Sequence, residues 1–92
     1  MNQDQSIKNR HSLSPYKLAI TRYIRSSLAL KGLKYDDLCE LLQRKGITMT
    51  PENLRSKTHK GMFSADLFTA IIDVLELEED ALKTILKEAK SA

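Results

Sequence analysis

Apolar positions along this chain recur at helical spacing from residue 20 onward and show no period before residue 15. Ile20, Ile24 and Leu28 repeat every four residues, with Tyr16, Tyr23 and Ser27 flanking that stripe. The pattern predicts a first helix from Pro15 to about Lys31. Ser14-Pro15 supplies its start, a serine cap followed by a proline at the first helical position, where the missing N–H is harmless. Gly32 suits the left-handed residue that ends a helix. A second helix is expected from Tyr35 to about Lys45, with Leu38, Leu41 and Leu42 inward and Gly46 terminating it. Asp36 and Asp37 fall in its first turn and Arg44 and Lys45 in its last, each favourable to the helix dipole. Ile47 is expected to plug the core at the corner that follows.

The third helix has the clearest start in the chain, Thr50-Pro51-Glu52: a cap, a proline at the first position, an acid at the second. It should reach Lys60 and stop at Gly61, after which Phe63 re-enters the core. Ser64 can cap a fourth helix, Ala65 to about Leu75, with Phe68, Ile71, Ile72 and Leu75 inward. A fifth, Glu78 to about Ala89, carries Ala81, Leu82, Ile85, Leu86 and Ala89 on one face. Strand signals are nearly absent, and there is no internal repeat. The expected architecture is all-α, a compact five-helix bundle over residues 15–92, preceded by a flexible arm over residues 1–14 that offers no core-forming side chains.

Composition narrows the functional classes. Ninety-two residues with 41% hydrophobic suit a single packed domain. No apolar run approaches the roughly 20 residues of a membrane span, and the first residues hold no apolar signal stretch, so a cytoplasmic protein is expected. The lone Cys39 sits among leucines and reads as a small core residue. His11 and His59 have no cysteine or carboxylate at metal-ligand spacing, and no glycine-rich phosphate loop occurs. Asp36-Asp37 and Glu78-Glu79-Asp80 are accounted for as helix-start acids. No catalytic residue, metal, cofactor or small-molecule substrate is therefore expected.

Charge is unevenly spread. Residues 1–34 hold seven Lys/Arg against Asp4 alone, whereas residues 63–92 hold seven acids against three lysines. A basic front half with an acidic end suits a protein that turns one face to a polyanion. On the third helix, Pro51, Leu54 and Thr58 lie on one side and should face the core. Glu52, Asn53, Ser56, His59 and Lys60 lie opposite, with Arg55 and Lys57 at the edges. Such a face supplies cations for phosphates and Asn, Ser and Arg for base edges, and the helix start offers free N–H groups. Glu52 is the discordant residue, since an acid facing DNA must accept from cytosine or be repelled.

Two helices joined by a short segment, the second polar and basic outside and followed by two apolar helices, make a helix-turn-helix arrangement. Ile24-Arg25, Leu28 and the run Gly32 to Glu40 are similar to the lambda-repressor-like (Cro/Xre-type) helix-turn-helix class where its first helix leads into its second. Cys39 stands where that class has a small alanine, Leu54 at its core position in helix three, and Gly61 at the glycine ending that helix. Asn53-Leu54-Arg55-Ser56-Lys57, with Lys60-Gly61-Met62-Phe63-Ser64-Ala65, resembles more closely a family of short bacterial proteins known only as a domain of unknown function. The resemblance covers about residues 18–88 and implies the repressor-like fold. Three features depart from the repressor class: a longer connection over Gln43 to Met49, Lys34-Tyr35 in place of a Ser/Thr cap and glutamine, and the small Thr58 at an inward position.

The expected function is that of a sequence-specific, DNA-binding transcriptional regulator, of bacterial or phage type. It would bind double-stranded DNA as a homodimer, with helix three in the major groove. Asn53, Arg55, Ser56 and Lys57 are the candidates nearest the groove, Arg44, Lys45, His59 and Lys60 those for phosphates, and Thr50 at the helix start is a further DNA-binding candidate. Lys8 and Arg10 could let the arm reach the backbone or minor groove. The fifth helix offers a dimer seam or packs on its own core. The alternative is a protein-binding adaptor that uses the same bundle.

Overall fold

The computed structural model describes residues 3–91 and holds five α-helices: α1 (Gln3–Lys31), α2 (Tyr35–Gln43), α3 (Pro51–Lys60), α4 (Ala65–Val74) and α5 (Ala81–Ser91). No strand occurs among the described residues. The all-α, five-helix expectation therefore holds. Long α1 is the spine, packed against α3 and α5, while α2 packs against α3 and α4. At about 1.5 Å per residue α1 spans roughly 43 Å, which matches the 42 Å long axis of the whole molecule.

The core is the sum of the predicted stripes. Ile24, Leu38, Leu42, Leu54, Ile71 and Leu75 are fully buried, and Leu28, Tyr23, Ile85, Ala81 and Ala89 close around them. Each buried leucine or isoleucine contributes roughly 1.5–3 kcal/mol relative to exposure. Ile47 and Phe63 are half-buried against this cluster, as the sequence predicts. The Phe63 and Phe68 rings lie 5.9 Å apart between centroids, tilted by 33°. Tyr23 Oη donates to Asp80 Oδ1 at 3.0 Å, tying the middle of α1 to the start of α5. Burial, and next the neighbouring Asp80 carboxylate, push the Tyr23 phenol above its ordinary range.

Several boundaries differ from the expectation. The start expected at Ser14-Pro15 is corrected: α1 runs from Gln3 straight through Pro15. A proline removes one N–H, here the partner of the His11 carbonyl. That carbonyl lies on an exposed residue, where water can replace the lost donor. Residues 5–14 remain outside the core, all exposed except half-buried Ser6. Met1 and Asn2 of the expected arm lie outside the described residues. The second helix ends at Gln43, two residues early, because Lys45 N–H and Ile47 N–H both donate to the Leu42 carbonyl and Gly46 turns left-handed at φ +83°. Arg44 and Lys45 thus sit in the turn after α2. On α5, which starts at Ala81 and not Glu78, Ala81, Ile85 and Ala89 are buried, but Leu82 is 71% exposed and Leu86 37%. The inward face is narrower than its apolar stripe.

Beyond α4 the chain takes the usual glycine-type exit without a glycine. Leu77 N–H donates to Ile72 O at 2.9 Å and Glu76 N–H to Asp73 O at 3.1 Å, with Glu76 at φ +56°. A side chain in that left-handed position costs about 1–2 kcal/mol, partly offset in a glycine variant by its looser unfolded chain. Glu76→Gly is expected to stabilise the fold by about 0.5–1 kcal/mol. Urea unfolding checks this, and an unchanged or lower midpoint would contradict it.

Candidate nucleic-acid interface

The third helix is built as its punctuation dictates. Thr50 is extended, and its Oγ1 accepts the Asn53 N–H at 3.1 Å. Pro51 occupies the first turn, and Gly61 closes the helix at φ +62°. This cap satisfies the Asn53 N–H, Leu54 N–H donates to Thr50 O, and Pro51 has none, which leaves that of Glu52 in the first turn.

Its inward side explains the small Thr58. The residue is fully buried, its Oγ1 donating to Leu54 O at 2.8 Å. Thr21 Oγ1 on α1 donates to Thr58 O at 2.6 Å. Three residues on, Gly61 is pressed so close to α1 that an added Cβ would fall on the Lys17 carbonyl oxygen. A larger aliphatic residue at 58 would push α1 away, so threonine serves a close helix–helix seam. Among the described residues no buried side-chain polar atom lacks a partner.

The opposite side is open. Glu52, Asn53, Arg55, Ser56, His59 and Lys60 are exposed, and Lys57 is half-buried at the edge. Two of these side chains are held by neighbours. The Arg55 guanidinium lies 5.2 Å from the centroid of the Tyr35 ring, a cation–π contact that limits where it can reach. Arg25 Nη2 lies 3.2 Å from His59 Nδ1. Guanidinium has only donors, so this contact is a hydrogen bond in the tautomer whose Nδ1 accepts. Arg25, Lys34, Tyr35 and Arg55 also line one shallow hollow between α1, α2 and α3. Position 35 thus acts on the α3 face from the side, through Arg55.

Arg44 and Lys45 are placed elsewhere. Both line a hollow with Asp73, Glu76, Glu78 and Glu79, and Lys45 Nζ lies 3.7 Å from Asp73 Oδ2 in an exposed pair. The structure does not bring these two cations onto the α3 face; they sit beside the acidic α4–α5 turn. Conversely, Arg25 and Lys17 of α1 flank α3 although the pattern along α3 does not reveal them. The signal that does is the absence of any Asp or Glu from Gln5 to Tyr35.

Cys39 is half-buried, and burial, with Asp36 and Glu52 nearby, pushes its thiol up, away from the reactive thiolate. Asp66 is held below the usual carboxylate range by the Ser64 hydroxyl first and then by the Leu67 N–H at 2.8 Å, a helix-start contact. Among the described residues no group of His, Cys, Asp and Glu could hold a metal, and no helix is long and apolar enough to cross a membrane.

The model of the family described as Domain of unknown function (DUF6471) matches residues 16–80, most of the chain, which therefore belongs to that family. No curated protein shows a significant match. No solved structure does either.

Proposed function

We propose that this member of the family is a sequence-specific DNA-binding protein, a transcriptional regulator in which α2 and α3 act as a helix-turn-helix-like unit. The observation that carries the reading is the outward face of α3. It combines Asn53, Arg55 and Ser56, suited to base edges, with Lys57, His59 and Lys60, suited to phosphates, on a helix whose other side is fully engaged with the bundle. Tyr35 and Arg25 support it by holding Arg55 and His59 before any ligand arrives, which lowers the ordering cost of binding. Thr50 at the helix start adds a hydroxyl, beside the Glu52 N–H, for a phosphate. Arg44 and Lys45 have a lesser role in this reading, because acids already face them.

One such helix reads too few base pairs for useful specificity, so the regulator acts as a homodimer on paired half-sites in the cytoplasm. The outer edge of α5, where Leu82 and Leu86 are exposed, is the seam that fits such a dimer. The same exposed leucines are the observation that favours a protein-binding adaptor instead.

Anisotropy titration against duplexes from the DNA around its own gene, at two salt concentrations, separates the readings. About four phosphate contacts predict an affinity loss of about a hundredfold between 50 and 200 mM salt. Binding to no duplex, or binding indifferent to salt, would sink the DNA reading.

A further inference from the structure

The N-terminal third of α1 is a helix that contributes nothing to the core. Its residues 5–14 are exposed apart from half-buried Ser6. A free helix of this length is marginal in water, and Pro15 deletes one of the bonds that would tie it to the rest of α1.

Its register with α3 gives the segment a direction. Lys17, Thr21 and Arg25 form the stripe of α1 that meets α3: the Lys17 carbonyl abuts Gly61, Thr21 bonds to Thr58, and Arg25 reaches His59. Extended backward at helical spacing, that stripe passes through Ser14, then Arg10 and His11, then Ile7. Ile7, Arg10, His11 and Ser14 do line one shallow hollow together. So the side of α1 on which α3 sits continues beyond the end of α3, unoccupied and cationic. Arg10 lies about 10 Å before Lys17 along the axis, a length equal to about three base-pair steps along a duplex axis. Among the described residues no carboxylate pairs with Arg10, Lys17 or Arg25.

We infer that residues 5–14 prolong the α3 surface into a second contact that takes the phosphate backbone of the duplex beyond the base pairs read by α3. This rests on the DNA reading above. Charge selects the occupant, since a stripe of cations abutting the polar, cationic face of α3 suits a polyanion that spans both. The contact is to backbone, so it adds affinity and salt dependence and carries no sequence information of its own.

The test is a salt series with the full chain and its Arg10→Gln/Lys17→Gln double variant. Two duplexes are used, one limited to the base pairs that α3 protects and one longer by about six base pairs on each side. On the long duplex the wild-type slope of log affinity against log salt should exceed that of the double variant by about 4, two contacts from each protomer of the dimer. The wild-type affinity loss from 50 to 200 mM is then about a hundredfold greater. On the short duplex the two slopes should coincide, and the ranking of duplex sequences should be the same for both proteins. Arg10→Lys should restore about half of the lost slope in a Lys17→Gln background, and Lys83→Gln/Lys87→Gln on α5 should change nothing. Melting temperatures of all variants are measured alongside, since Lys17 is half-buried beside Gly61 while Arg10, Lys83 and Lys87 are exposed. Equal slopes on the long duplex would overturn the inference while leaving the DNA reading intact, whereas a wild type with no salt-sensitive binding would remove both. A double variant that changes oligomeric mass but not slope would also overturn it, by making the stripe a seam for the acidic α4–α5 turn of a second copy.

Discussion

The Gly61→Ala variant is expected to lose roughly 2–5 kcal/mol of stability, a large part of what a small domain has. Two costs combine. The residue sits at φ +62°, where any side chain pays about 1–2 kcal/mol. The new Cβ would also fall on the Lys17 carbonyl oxygen, and lie 2.7 and 2.8 Å from the carbonyl carbon and Cα of the same residue. Those are backbone atoms inside a helix, so no side chain can swing aside. Either α1 and the end of α3 part, straining the buried Thr21–Thr58 bond, or Gly61 leaves its left-handed conformation and uncaps α3. Overpacking of this kind costs typically 1–3 kcal/mol.

Two other glycines serve as internal controls. Gly32 and Gly46 stand at φ +66° and +83°, with nothing within 4 Å of an added Cβ. Gly32→Ala and Gly46→Ala should therefore show the conformational cost alone, about 0.5–1 kcal/mol after the stiffer unfolded chain offsets part of it. Urea unfolding of the three variants decides the matter. If Gly61→Ala falls no further than the other two, the close approach of α1 to α3 does not exist in solution.

That seam also marks the boundary of what the sequence reveals. The ends of α3 are local events: Thr50-Pro51 and Gly61 specify them through capping and backbone conformation, and the structure follows both. Thr58 could be assigned to the inward side by periodicity, but the reason for its size lies 37 positions away on Thr21, a distance no local pattern spans. The pairing of Lys45 with Asp73 is of the same kind. Charge and spacing place Lys45 among candidate phosphate contacts; the packing of α2 against α4 turns it toward acids. On α5 the apolar period gives the helix correctly, yet the width of the groove against α1 decides that Ile85 is buried while Leu82 is not. Residues 3–14 were hidden for a different reason. Their polar composition has no period, and Ser14-Pro15 reads as a helix start, although proline also tolerates a helix that continues before it where the freed carbonyl meets water.

For the candidate site, the outward residues of α3 were legible because a polar face on a short, well-capped helix needs no long-range information. What the sequence did not disclose is how those side chains are held. Arg55 over Tyr35 and His59 against Arg25 each join two helices. They give exposed cationic side chains preferred positions, which under the proposed DNA reading lowers the ordering cost of binding.

Lys57→Glu is the substitution expected to affect binding most. Lys57 lies half-buried at the edge of the α3 face, in the last turn, between the outward residues and the bundle. At that edge a lysine can lay its stem along the protein and its ammonium toward a phosphate. Reversing its charge removes one phosphate contact and sets a carboxylate against the polyanion. An affinity loss of about a hundredfold near physiological salt, with a slope smaller by about 2 (one contact from each protomer), is expected across all duplex sequences alike. Arg55→Ala, in contrast, should relax discrimination at one base position by about 1–3 kcal/mol. Stability should separate the binding effect from a folding one. A glutamate in the last turn opposes the helix dipole by only about 0.3–1 kcal/mol, too little to unfold the domain. An adaptor that grips its partner through the exposed leucines of α5 would tolerate both changes. A Lys57→Glu protein that stays folded and binds DNA as tightly as wild type would therefore remove α3 from the interface.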